Sequence, residues 1–252
     1  MSIKCNYSSQ IAYDNSQIKN YIDNEYYIKY NKPMEKIQKL LTANASVYDM
    51  VKGLRLENMT ERQLKSQIVK QYKKDLGHFV FGGDVVAGKN SALIEGGGSD
   101  NVINKGDAII LDINPYKDKQ CADTTRTFFC GEPTKKQREI YAIVLNALDC
   151  GEKALLPGVK VSEIYKAVND GLYPYKLVHH AGHLVGTRRV MQPQFLPDKD
   201  KVLKEGDIVA LEPGIYVDGE FGIRIENNYQ IVKNGFKKLF DYPLDIQNFI
   251  VK

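Results

Sequence analysis

Gly106-Asp-Ala-Ile-Ile-Leu-Asp112-Ile-Asn-Pro-Tyr116 returns one hundred residues later as Gly206-Asp-Ile-Val-Ala-Leu-Glu212-Pro-Gly-Ile-Tyr216. The Gly, Asp, Leu and Tyr positions are identical, and an acid sits at the same place in each copy. The apolar run before each acid reads as a buried strand. What precedes the strands repeats too. Apolar spacing predicts an amphipathic helix over 34–52, ended by Gly53, and Thr60-x-x-Gln63 opens a second helix through about Lys74. In the second half, a helical pattern over 135–156 stops at Pro157-Gly158, and Ser162-Glu163 opens another over 162–172. Strand-like runs lie at 79–87, 107–116, 207–217, 221–232 and 236–242. A two-helix-then-strand order that occurs twice predicts two similar halves about a pseudo-two-fold axis.

Outside this repeat, residues 1–32 lack helical or strand periodicity and read as an irregular arm, so the expected organisation is an arm over 1–32 and one domain over 33–252. The chain has 252 residues, 43% of them hydrophobic and 26% charged, which excludes a disordered or collagen-like chain. A net charge of +4 is too weak to imply nucleic acid or an anionic membrane as partner. The start carries no signal-peptide pattern, and no run reaches the ~18 apolar residues that span a bilayer, so a cytoplasmic protein is expected. Cys5, Cys121, Cys130 and Cys150 show no C-x-x-C pairing and read as buried thiols of a reducing compartment.

Each acid-bearing strand is followed by a second strand with another acid, Asp123 in the first half and Glu226 in the second. If the halves pair across the axis, the four carboxylates meet. Buried together they would repel one another and resist ionisation unless cations neutralise them. Two divalent metals, held by oxygen ligands and an imidazole from the His179, His180, His183 cluster, are the economical answer. Taken singly, each acid is better explained as an exposed strand-end residue paired with Arg126 or Arg224, but four acids at symmetric places beside a histidine cluster favour the metal site.

With Asp-x-Thr-Arg-Thr-Phe, Glu-Pro-Gly-Ile-Tyr and Gly-x-Arg-x-Glu in order, the sequence resembles the pita-bread metallopeptidases over residues 34–243, with gaps between the matching positions closest to the X-Pro dipeptidase (prolidase) and aminopeptidase P branch. The resemblance implies an α+β pita-bread (creatinase/aminopeptidase) fold and a dinuclear metal-dependent hydrolase that cleaves an amide in a dipeptide, short peptide or related small molecule through a metal-bridging hydroxide. Asp112 would bind one metal, Asp123 and Glu226 would bridge the two, and His183 and Glu212 would complete the second. Glu212 would also act as base for the attacking water. Such a donor set suits Mn, Fe or Co better than Zn. His179 would contact substrate, and Arg224 would orient a ligand carboxylate. His78 matches no motif.

Two positions depart from the family wording. Glu95 and Val190 stand where the family places histidines that hold the peptide group, and losing one such donor can cost ~10²–10³ in turnover. Metal binding is therefore implied more firmly than peptide hydrolysis. Glu95 could instead bind a cationic amine, and Arg188 and Arg189 an anionic group. Only about 32 residues precede the matching body where X-Pro peptidases carry a further N-terminal domain, so a lone pita-bread domain is expected, its substrate side more open or closed by the arm or by a second subunit in a homodimer. Two other readings stay open: a metalloenzyme acting on a non-peptide biosynthetic intermediate, with di-iron redox chemistry conceivable, and a non-catalytic binding module.

Overall fold

The computed structural model describes residues 32–187 and 191–251. Readings of residues 1–31, Arg188, Arg189 and Val190 lie outside the described residues. Helix α1 covers Lys32–Lys52. Helix α2, Glu61–Leu76, begins at the expected capping box: Gln63 N–H donates to Thr60 Oγ1 and Thr60 N–H to the Gln63 side chain. Helix α3, Lys135–Lys153, starts from the same device built by Thr134 and Gln137. Helix α4, Val161–Gly171, opens after Lys160 with no side-chain cap.

The strands are β1 (Val80–Ala87), β2 (Ala108–Lys117), β3 (Gln120–Cys121), β4 (Thr124–Cys130), β5 (Gly182–Leu184), β6 (Met191–Gln194), β7 (Ile208–Leu211), β8 (Gly214–Val217), β9 (Phe221–Arg224), β10 (Asn227–Val232), β11 (Gly235–Lys238) and β12 (Ile250–Val251). One sheet runs β1-β2-β4-β12 with β3 on β2, the second runs β11-β10-β7-β5-β6, and β8 and β9 form a hairpin. The run expected as one strand over 207–217 breaks at Glu212-Pro213. The Glu212 N–H turns to the Ala181 carbonyl, and proline has no N–H to continue a ladder. The run over 221–232 breaks after Arg224, because Glu226 turns its backbone to Thr125 of the other half. Helices α1 and α2 cover the first sheet, and α3 covers β7, β8 and β9.

The repeat is visible bond by bond. Gly106 and Gly206 both have positive φ, at 93° and 91°. Asn104 N–H donates to Asp107 Oδ2 and Lys204 N–H to Asp207 Oδ2, each at 2.8 Å. Ile103 N–H reaches the Met59 carbonyl and Leu203 N–H the Val159 carbonyl. Bridges join Thr60 to Val102 and Lys160 to Val202.

Strand register corrects one expectation. Leu111 pairs with Arg126 and Leu211 with Asn227, so Arg126 and Asn227 are counterparts. The counterpart of Glu226 is then Thr125, and that of Asp123 is Arg224. The two outer acids therefore do not occupy equivalent places; Asp-x-Thr in one half faces Arg-x-Glu in the other. Because strand residues two apart share a face, Asp123 and Glu226 still point the same way as their neighbours on that face. The antiparallel bridge between Thr125 and Glu226 joins a residue to its own counterpart and so lies on the pseudo-two-fold axis.

Arg126 locks this seam. Its side chain is fully buried, donating to the carbonyls of Thr125 (2.9 Å), Glu226 (2.7 Å) and Pro243 (3.2 Å) and to Asn227 Oδ1 (2.8 Å), with the Phe240 ring 5.0 Å away. Cys121 and Cys130 are buried and outside any disulfide, whereas Cys150, also expected as a thiol, is disulfide-bonded. No helix among the described residues is long and apolar enough to cross a membrane.

Replacing Arg126 with Met would leave several buried acceptors without donors, at a cost of about 3 kcal/mol or more. Thermal denaturation should show Tm lower by roughly 6–12 °C. Arg126→Lys should recover little of this, because one ammonium cannot reach acceptors on both sides of the seam.

Candidate metal centre

Asp112 stands in mid-β2, inside a strand whose apolar residues are buried under α1. Asp123 immediately precedes β4. Its backbone is fastened to the other half by Asn228, whose Oδ1 accepts from Asp123 N–H and whose Nδ2 donates to the Asp123 carbonyl. On the helix side, Asn44 and Tyr48 both reach the neighbouring Thr124, and Tyr72 supports Asn44 at 2.6 Å. Glu226 sits on the axis, with one carboxylate oxygen bound by Thr125 Oγ1 at 2.9 Å. His183 lies on β5, brought against β7 by Gly182, where any Cβ would stand 2.1 Å from the Ala210 carbonyl oxygen.

These placements bring the expected set to one cavity of about 180 Å³, lined by Asp112, Asp123, His183, Glu212 and Glu226 together with His179, His180, Arg224, Ile94, Glu95 and Gln194. The His183 Nδ1 hydrogen bond to the Leu184 carbonyl (2.9 Å) assigns the proton to that nitrogen. Nε2 then turns its lone pair toward Glu212 Oε1 at 3.4 Å, Asp123 Oδ2 at 3.7 Å and Glu226 Oε1 at 3.8 Å. Asp112 lies to the side, held by Arg224 Nη2 at 3.0 Å and Asn114 Nδ2 at 3.1 Å.

The residues fit a cation. Asp123, His183 and Glu226 each offer one ligand atom within 4.8 Å of the others, all three side chains being buried. Glu226 Oε1 and Glu212 Oε1 are buried without a hydrogen-bond donor. An anionic oxygen in that state is costly unless a cation approaches it. The electrostatics agree. Burial, reinforced by Glu212 and Asp112, pushes the Glu226 carboxyl well above the usual carboxylate range. Burial would raise Glu212 as well, but the imidazoles of His180, His183 and His179 outweigh it and hold its pKa down to about 2. Burial lowers both His183 and His179.

Three participants were given no specific role by the sequence. His180 Nδ1 lies 3.0 Å from Glu212 Oε1, too poorly aligned for a hydrogen bond but an effective charge contact. The pair raises His180 against the opposing effect of its burial. Tyr216, the residue shared by the two repeats, places its hydroxyl between His179 Nε2 and Arg224 Nη1, each at 2.9 Å. Gly214 clears the space, since a Cβ there would stand 2.7 Å from that hydroxyl. Asp112, Arg224, Tyr216 and His179 thus form one hydrogen-bonded chain along the cavity wall. Gln194, on β6, completes the lining. His78 lies away from this cavity, in a cleft with Phe79, Tyr116 and Lys117.

Known proteins share this frame. An X-Pro aminopeptidase from Thermotoga maritima MSB8 superposes with a TM-score of 0.83 at 28% identity, covering 91% of this chain and 67% of that one. Prolidase from Pyrococcus furiosus gives 0.79 at 30% identity, covering 84% and 64%. An Xaa-Pro dipeptidase of Lactobacillus helveticus is 31% identical over 229 residues, which is 86% of this chain and 61% of that protein. The chain spans about half to three fifths of the length of the curated dipeptidases it matches. The fold is the pita-bread fold of these structures, and residues 35–233 match metallopeptidase family M24. The chain belongs to that family.

Proposed function

We propose that this protein is a dinuclear metal-dependent hydrolase that cleaves the amide of an Xaa-Pro dipeptide, a short peptide or a related small molecule. The observation that carries the reading is the buried Asp123, His183, Glu226 cluster, with Glu212 and Asp112 on the same small cavity and two carboxylate oxygens left without donors. Asp112, Asp123, His183, Glu212 and Glu226 would hold two divalent cations, and the oxygen-rich set favours Mn, Fe or Co over Zn. When bound, such cations acidify water and polarise an amide carbonyl.

The chain's own residues do the rest. Glu212, kept ionised by the imidazoles around it, would accept the proton of the attacking water and return it to the departing amine. Arg224 orients Asp112 and supports Tyr216, which fixes the His179 ring through Nε2. His179 lines the cavity and would contact substrate there. A cavity of about 180 Å³ suits a dipeptide-sized ligand rather than a folded chain. The Xaa-Pro dipeptidase and prolidase relatives favour that substrate class.

Elemental analysis of manganese-loaded protein should find about two ions per chain. Chelation should abolish hydrolysis of an Xaa-Pro dipeptide panel and lower Tm, since the carboxylates then repel one another. Glu226→Gln should reduce both metal content and turnover; metal content unchanged by Glu226→Gln and Asp123→Asn would overturn the assignment. Tyr216→Phe removes only the hydroxyl between His179 and Arg224. It should lower kcat about 10–100-fold with metal content unchanged, as measured by dipeptide turnover beside elemental analysis.

A further inference from the structure

The geometry points to Glu95 as a recognition residue for a substrate ammonium group, which names the substrate class of the hydrolase reading and rests on that reading. Five carboxylates line the cavity. Four of them are committed within the cluster: Asp112 to Arg224 and Asn114, Glu226 to Thr125, Glu212 to the imidazoles, and Asp123 beside His183. Glu95 is the fifth. Among the described residues no hydrogen bond or ion pair engages its carboxylate: Arg224 donates to Asp112, Tyr216 and the Ile94 carbonyl, His180 and His183 face Glu212, and His179 is held by Tyr216 and the His180 carbonyl. It lines the cavity and is itself exposed to solvent, so an arriving ligand can reach it.

An acid on a mobile loop would carry little meaning, but this loop is clamped. Glu61, at the start of α2, is 1% exposed and accepts hydrogen bonds from the N–H groups of Ala87 and Ser99, the hydroxyl of Ser99 and the side chains of Asn90 and Asn101. Ser91 Oγ receives Gly222 N–H of β9 at 2.8 Å. Gly98 N–H bonds the Val85 carbonyl. Nearest to the acid, Arg224 Nη1 donates to the Ile94 carbonyl at 3.2 Å, so the guanidinium that holds Asp112 also fixes the backbone beside Glu95. The pre-set position removes much of the ordering cost of recognition.

The rest of the lining sharpens the inference. Gln194, on β6, lines the same cavity as a neutral amide and brings no second free anion to it. A ligand with an ammonium group at one end is read in a single orientation, whether that group is an α-ammonium or belongs to a side chain.

Calorimetry on manganese-loaded protein with three amino-alcohol probes separates these sources. N-acetyl-norleucinol carries no ammonium, norleucinol carries the α-ammonium, and lysinol carries a second one on its side chain. At least one added ammonium should tighten binding about fivefold or more. Glu95→Gln should abolish that gain with metal content unchanged, and Glu95→Asp should retain part of it. An ammonium gain equal in wild type and Glu95→Gln overturns the inference, and if Xaa-Pro dipeptides are still hydrolysed the hydrolase reading stands without it. A gain lost in Glu95→Gln in a protein that hydrolyses no dipeptide supports ammonium recognition and overturns the hydrolase reading.

Discussion

The seam between Thr125 and Glu226, held by the buried guanidinium of Arg126, is the constraint on which the rest of the molecule depends. Two half-domains that each bury a sheet under helices could pack in several ways. Joining counterpart residues by paired backbone hydrogen bonds on the axis admits only one. Arg126 supplies donors on both sides of the joint, to the Thr125 carbonyl in one half and to Glu226 and Asn227 in the other. Asn228 repeats the stitch at Asp123. The carboxylates owe their convergence to these neutral and cationic groups beneath them, none of which faces the cavity as a metal ligand.

That convergence concentrates negative charge where water is scarce. The chain manages it unevenly. Glu226 is driven toward its neutral form by burial and by Glu212 and Asp112, while Glu212 is kept ionised by imidazoles, and Asp112 is neutralised by Arg224. A site already divided in this way can receive cations without rebuilding its scaffold, because the protons and ion pairs hold the places that cations would take.

Much of this was legible in the sequence, and the reason is local. The one-hundred-residue repeat, the Thr60 capping box and the acid-bearing motifs are written in contiguous residues, so the halves, the helices and the five clustered side chains could be read directly. Less legible were relations set by register and approach. Asp123 and Glu226 looked like symmetric partners until strand pairing gave Arg224 as the counterpart of Asp123 and Thr125 as that of Glu226. The short strands β5 and β6 carry too few residues for a periodic pattern. Tyr216 had its signal in the shared Tyr of the repeat, but its task depends on the space left by Gly214. His180 adjoins a motif residue and gains its partner only when β5 packs on β7.

A duplicated frame presents any ligand with two nearly equivalent approaches, yet an amide has a distinct acyl side and amine side. Something must make the approaches unequal. By strand pairing, His183 on β5 has Val86 on β1 as its counterpart, so one half brings an imidazole where the other has an apolar side chain. Divergence of the two copies thus gives a near-symmetric molecule a sense of direction across its cavity.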